Sequence, residues 1–248
     1  MRKYYWFLLL NLFWCGSIYT APLPLLKVAA DVYSPPFIMR GANEQVFGFD
    51  IDMMEYICKM LGRTCQYNLM PFQNIIGSVE NKSNDIGIGC ITITLERSKS
   101  VAFSIPYLLS YAQYIGLKQQ AANQFAPELL KNKTVGVETG SVFKSIINDL
   151  EIPSVKVIEY NKPASIIAAL QNKSVDFALM DSITAIYWQS QSTNNLVTLG
   201  KPFLYGFGFG IAVNKTDSKL LEQINTAILE YQNNGGFQKS YNEYIAQF

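Results

Sequence analysis

Between residues 26 and 204 the sequence runs twice through an alternation of short β-rich stretches and helical patterns, and an extended aromatic connection follows each pass. The first pass comprises Leu26–Asp31, a helical pattern over 51–61, Gln66–Leu69, a helix near Ile75–Glu80 and Asp85–Ile93. The second comprises Lys133–Val137, a helix beginning near Ser141, Val155–Tyr160, a helix over 163–171, Val175–Met180 and a helix after Asp181. This alternation implies α/β layering, with sheets covered by helices. The connections Phe103–Tyr111 and Pro202–Val213 bracket the second pass, so a second, smaller α/β lobe is inserted into the first. Leu220–Asn233 and the segment from Gly235 to Tyr244 carry the amphipathic spacing of elements that pack back on the first lobe.

Composition narrows the chemistry. Hydrophobic residues make up 49% and charged residues 16%, which suits a buried core and not disorder. A net charge of +1, with no Lys/Arg run, offers no footprint for nucleic acid. The chain has 0 histidines, which removes the histidine-dependent hydrolases and nearly all zinc sites. No HExxH, GxSxG, Walker or GxGxxG pattern accompanies the remaining carboxylates, lysines, tyrosines and thiols, so neither metal nor cofactor is expected and binding is favoured over catalysis.

Met1-Arg2-Lys3 leads into the apolar run Tyr4–Trp14, the layout of a secretory leader. Residues 1–21 are expected to be removed, with cleavage between Ser17 and Ala21 and Cys15 as part of the leader. Export places Cys58 and Cys65 in an oxidising compartment. Ile51, Met54, Ile57, Cys58 and Leu61 follow helical spacing, with Asp50 as the expected N-cap and Gly62 as the stop. On one unbroken helix the two cysteines would lie roughly 10 Å apart along the axis; a reversal at Gly62 brings them together. A Cys58–Cys65 disulfide is therefore expected, with two buried free thiols as the alternative.

Several stretches in fixed order carry a resemblance: Asp31–Phe37 (DVYSPPF), Gly48–Asp52 (GFDID), Asp85–Tyr107 (DIGIGCITITLERSKSVAFSIPY), Val135–Ser141 (VGVETGS), Val175–Asp181 (VDFALMD) and the Gly-rich return near Gly206–Lys215. Over roughly residues 26–246 the chain resembles the periplasmic amino-acid-binding proteins of ABC importers, family 3 of the bacterial extracellular solute-binding proteins. The Cys58/Cys65 spacing also resembles the disulfide of the histidine- and lysine/arginine/ornithine-binding members. The resemblance implies a two-lobed Venus flytrap fold with two crossing hinge strands. Lobe 1 would comprise 22–109 and 206–248, and lobe 2 would comprise 110–205. It also implies a periplasmic monomer that delivers a free amino acid to a membrane permease.

A zwitterion leaving water needs donors for its carboxylate and an acceptor for its ammonium. Family roles carried onto matching positions make Arg97 the carboxylate clamp, since its guanidinium can bind a carboxylate bidentately. Thr92, the backbone around Cys90 and Ser141 would add donors. Asp181 would take the ammonium, or act as a simple N-cap for the helix after it. Phe72 aligns with one apolar wall of the side-chain pocket. Tyr33 stands one residue earlier than the commoner spacing, so either it shifts inward or Ser34 leaves the other wall open. Asp31, aligned with the residue that reads the distal end of the ligand, and Glu138 favour a cationic side chain. Arginine is the expected ligand, with lysine, ornithine or histidine next and glutamine as an alternative. A dehydratase on the same scaffold is the competing class.

Overall fold

The computed structural model describes residues 24–122, 125–193 and 195–248. The expected leader and Cys15 lie outside them. In chain order the elements are β1 (Leu25–Asp31), β2 (Met39–Arg40), β3 (Val46–Phe47), α1 (Phe49–Met60), β4 (Thr64–Met70), α2 (Ile75–Glu80), β5 (Ile86–Ile88), β6 (Ala102–Phe103), β7 (Tyr111–Leu117), β8 (Thr134–Glu138), α3 (Phe143–Asp149), β9 (Lys156–Tyr160), α4 (Pro163–Gln171), β10 (Phe177–Asp181), α5 (Ser182–Gln191), β11 (Leu196–Leu204), β12 (Ala212–Val213), α6 (Ser218–Asn233) and α7 (Gly236–Tyr244).

The strands form two five-stranded sheets and a small β2–β3 hairpin. The first sheet runs β4-β1-β5-β12-β6, with β1 parallel to both neighbours and β12 antiparallel to β5 and β6. The second runs β11-β7-β10-β8-β9, parallel from β10 to β9 and antiparallel where β7 meets β10 and β11. Each sheet has its own apolar core. Leu26, Val28 and Ala30 of β1 pack with α1 and α6 on one face, while Ala29 joins α2 on the other. In the second sheet Val135, Val137, Ala178 and Met180 pack with Phe143, Ile147 and Ile166. These runs are nearly continuous apolar stretches because helices cover both sides of a parallel strand.

Two connections join the sheets. Residues 104–110 leave β6 for β7, and 205–211 return from β11 to β12. They bind each other: Tyr107 N–H donates to Phe209 O at 2.9 Å, Phe209 N–H to Leu108 O at 2.9 Å and Tyr205 N–H to Ser110 O at 3.1 Å. Phe209 is fully buried and packs edge-on to Phe37 at 5.9 Å, which anchors the return strand in the first core. The fold is thus two α/β lobes joined by a hydrogen-bonded pair of crossing strands.

Two local expectations need correction. Helix α1 begins at Phe49 with Gly48 as its N-cap, so Asp50 lies inside the first turn and its side chain is spent elsewhere. The strand expected through Ile93 ends at Ile88, because Cys90 takes a left-handed conformation at φ +50 that breaks the extended run. The other end of α1 behaves as read. Gly62 adopts φ +62, Arg63 N–H donates to Cys58 O at 2.8 Å, and Gly62 N–H donates to Lys59 O at 3.1 Å. This Schellman reversal brings the Cys58 and Cys65 Cα atoms to 5.8 Å, and the disulfide is formed.

Candidate ligand-binding cleft

The cleft lies where strand ends of both sheets and the crossing connections converge, the usual place for a ligand in open α/β sheets. Ser34, Phe72, Cys90, Arg97, Glu138 and Asp181 are among the residues lining an inner recess, with Tyr205 closing it from the return connection. Phe72, Arg97, Ser141, Val142 and Tyr205 also line an outer vestibule of about 540 Å3. The recess holds only about 10 Å3. That is barely room for one water, so the lobes must part to admit a larger guest.

Arg97 opens a single 3-10 turn, Arg97–Lys99, which Thr94 holds by accepting the Arg97 backbone N–H at 3.1 Å. Its guanidinium lies over the Phe72 ring, 5.3 Å from the centroid. One terminal nitrogen donates to Thr92 O at 2.9 Å and the other to Gly140 O at 3.0 Å, a bond that crosses between the lobes. Burial pulls the guanidinium pKa down, opposed by its neighbours Tyr205, Asp181 and Glu96. At Gly140, φ is +79 and an added Cβ would lie 2.7 Å from the Cα of Gln73 in the first lobe. The two lobes therefore meet backbone to backbone here.

Asp181 ends β10 at the N-cap position of α5, yet its side chain makes no cap bond. It accepts the Tyr205 hydroxyl instead. Burial raises its pKa to about 7, with the Tyr205 bond and Arg97 acting in the opposite direction. The two readings of Asp181 are separated by this contact: the carboxylate faces the cleft, not its own helix. Tyr205 packs against Phe143 at 5.3 Å, and burial followed by the Asp181 charge pushes its phenol pKa up.

Of two further carboxylates, Glu138 lines the recess and Asp31 does not, but lies near enough for its charge to act on Glu138. Asp31 is fully buried at the end of β1, where one oxygen accepts Val32 N–H at 2.7 Å and the other has no partner. Burial raises its pKa to about 7, partly offset by the Val32 bond. Glu138 ends β8, also has an unpartnered oxygen, and is pushed well up by burial and then by the charges of Asp31 and Asp181. Buried polar atoms without partners are rare and call for an explanation.

The remaining expectations divide. Ser34 lines the recess, whereas Tyr33 does not and packs edge-on to Trp188 of α5 at 6.3 Å. The Cys90 N–H is already given to Asp50 at 3.3 Å, beside Gly89 N–H and the Tyr107 hydroxyl on the same oxygen. Burial, then the charges of Asp50, Asp181, Asp31 and Glu138, push the Cys90 thiol pKa well up, which disfavours the reactive thiolate. Ser141 spends its N–H and hydroxyl on Glu138 O, at 3.1 and 2.6 Å, so its backbone donor is not free for a carboxylate. α3 starts only at Phe143. Thr92 is buried beside Tyr205.

Sequence reasoning missed Tyr205 and the role of Asp50. Tyr205 could have been found as the one polar-tipped aromatic opening the glycine-rich return. Asp50 gave no such signal, because an acidic residue near a helix start reads equally well as a cap. Among the described residues no cluster of three or more His, Cys, Asp or Glu is suited to a metal, and no helix is long and apolar enough to cross a membrane.

Two sheeted lobes, a hydrogen-bonded crossing pair and a polar recess between them define a two-lobed solute-binding protein. The chain belongs to the bacterial extracellular solute-binding proteins, family 3, whose model matches residues 26–247. It is 32% identical over 216 residues to ABC transporter arginine-binding protein 1 of Escherichia coli (strain K12), covering 86% of this chain and 87% of that one. It is 30% identical over 234 residues to the arginine-binding periplasmic protein of Mannheimia haemolytica, covering 93% and 94%. Among solved structures, an ancestral arginine-binding protein bound to arginine superposes with a TM-score of 0.83 at 31% identity, covering 89% of this chain and 97% of that one.

Proposed function

We propose that the protein captures a free amino acid with a cationic side chain, arginine foremost, in the periplasm and presents it to the permease of an ABC importer. The observation that carries this reading is the imbalance of the recess. Three carboxylates, the fully buried Asp31 and the part-buried Glu138 and Asp181, gather here against one guanidinium, that of Arg97, and two of them, Asp31 and Glu138, hold oxygens without partners. An amino acid with a side-chain cation brings a net positive charge and many donors. Its carboxylate goes to Arg97, beside Thr92 and Phe72, and its ammonium goes to Asp181 and Tyr205. Its distal cation meets Asp31 and Glu138, and Ser34 with the Cys90 backbone completes the wall. The relatives whose names state arginine binding support the same ligand.

Binding works by differential contact. Arg97 belongs to the first lobe and Asp181 to the second, so a ligand holding both favours the state in which the lobes meet. Release then needs the lobes to part, which is the step a permease would exploit. The protein is read as a binder and not as an enzyme, because Arg97 and Asp181 are both placed to grip an intact zwitterion.

A thermal-shift screen against the amino acids tests this. Arginine should give the largest rise, followed by lysine and ornithine, since a ligand stabilises in proportion to its excess over its dissociation constant. Glutamine bound far more tightly than arginine would reject the cationic ligand, and turnover of prephenate or arogenate would replace binding with catalysis.

A further inference from the structure

Tyr33 stands one residue before the position at which the resemblance places a ligand wall, and it faces the other lobe. We infer that Tyr33 is a lobe-closure residue that clasps Trp188 and Tyr187 of α5, and that Ser34 alone forms that wall of the pocket. This inference rests on the proposed function only for the identity of the ligand.

Four contacts support it. Tyr33 follows β1 in the first lobe and meets the Trp188 ring edge-on at 6.3 Å. Its hydroxyl faces that of Tyr187. Tyr187 is touched by the first lobe a second time, through Phe248 at 5.2 Å, and Ile183 of the same helix packs on the first core. α5 is thus the second-lobe element seated on the first lobe. Its N-cap residue is Asp181 and Trp188 lies seven residues on, roughly 10 Å along the axis. One rigid helix therefore connects the carboxylate in the recess to the aromatic clasp. The local geometry explains the exchange of roles. Ser34 is pinned by its own turn, with Ser34 N–H donating to Ile38 O and Phe37 N–H donating to Ser34 O, both at 2.9 Å. Neighbouring side chains in extended chain point opposite ways, so seating Ser34 in the recess turns Tyr33 outward.

The consequence is a separation of affinity from selectivity. A contact that only stabilises the closed state multiplies every ligand's apparent dissociation constant by the same factor, whereas a wall residue changes the ratio between ligands.

The test is calorimetric titration of the wild type, Tyr33→Ala and Trp188→Phe with arginine, lysine and glutamine. Tyr33→Ala should weaken all three by one common factor, about threefold to tenfold for the loss of an aromatic pair. Trp188→Phe tests the same contact from the opposite lobe should Tyr33→Ala fail to fold, and the double variant should be less than additive. Trp188 is the one tryptophan downstream of the expected leader, so its emission should change on arginine addition in the wild type and change less in Tyr33→Ala. Unchanged affinity, or an arginine-to-glutamine ratio that moves more than about threefold, overturns the clasp. If the wild type binds none of the amino acids, the proposed ligand class fails and the clasp is still read by small-angle scattering of the free proteins. A larger radius of gyration for Tyr33→Ala then supports it, and an equal one overturns it.

Discussion

Asp31→Asn should make the protein more stable and a poorer receptor for arginine at the same time. Asp31 is fully buried and has no salt-bridge partner among the described residues, and burial lifts its pKa from 3.8 to about 7. At 1.36 kcal/mol per pH unit, that interval corresponds to about 4 kcal/mol held against folding once the group is ionised in both states. The sign follows from proton binding. The folded state holds this proton more tightly than the unfolded chain, so stability falls as pH rises from about 4 and levels off above about 7. Asparagine keeps the shape and removes the charge. The variant should therefore gain up to about 4 kcal/mol at pH 8, about 2–4 °C in Tm for each kcal/mol at this chain length, and gain almost nothing near pH 4. Arginine binding should weaken about tenfold to a hundredfold, the value of a charge-assisted hydrogen bond, while glutamine binding stays within about threefold. Calorimetric melts at pH 4 and 8, with titrations at pH 8, measure both. A lower Tm at pH 8, or equal losses for arginine and glutamine, would refute the assignment of Asp31 as a buried reader of the ligand's cation.

Other outcomes follow from the same geometry. Tyr205→Phe removes the hydroxyl that stabilises ionised Asp181, so stability should fall by about 1.5–3 kcal/mol at pH 8 and much less at pH 5, as paired denaturation curves would show. Arginine should favour the ionised forms of Asp31 and Asp181, both near 7, so binding at pH 7 should release protons and tighten towards pH 8; titration in buffers of different ionisation heat counts the protons. Gly140→Ala places a Cβ 2.7 Å from Gln73 Cα, so ligand affinity should fall at least about tenfold with the far-UV spectrum unchanged. Replacing Cys58 and Cys65 by serine opens a loop closed over a separation of 7 and should cost about 2 kcal/mol, or about 4–8 °C in Tm.

Much of the framework was readable because its signals are local. The helices over 163–171 and near Ile75–Glu80 appear with those bounds, since proline at the start of one and dense apolar spacing in the other need no tertiary help. The reversal at Gly62 was readable for the same reason. What escaped depends on contacts distant in sequence. Asp50 binds the Gly89–Cys90 backbone about forty residues away, and that pinning, with the left-handed Cys90, ends β5 early. Tyr205 reaches Asp181 only because the two crossing strands put the return beside β10. Tyr33 and Ser34 are the sharpest case: the spacing left open whether Tyr33 shifts inward or Ser34 leaves the wall open, and the turn at Ser34–Ile38 bears on that choice only in the folded chain.

The central claim is that Arg97 and Asp181 grip the two ends of a cationic amino acid across the cleft. Calorimetric titration of the wild-type protein with L-arginine and with agmatine tests it most directly, because agmatine keeps the guanidinium and an ammonium but lacks the carboxylate. Saturable one-to-one binding of arginine with none of agmatine is predicted. Equal affinity for the two, or no heat with arginine, would contradict it.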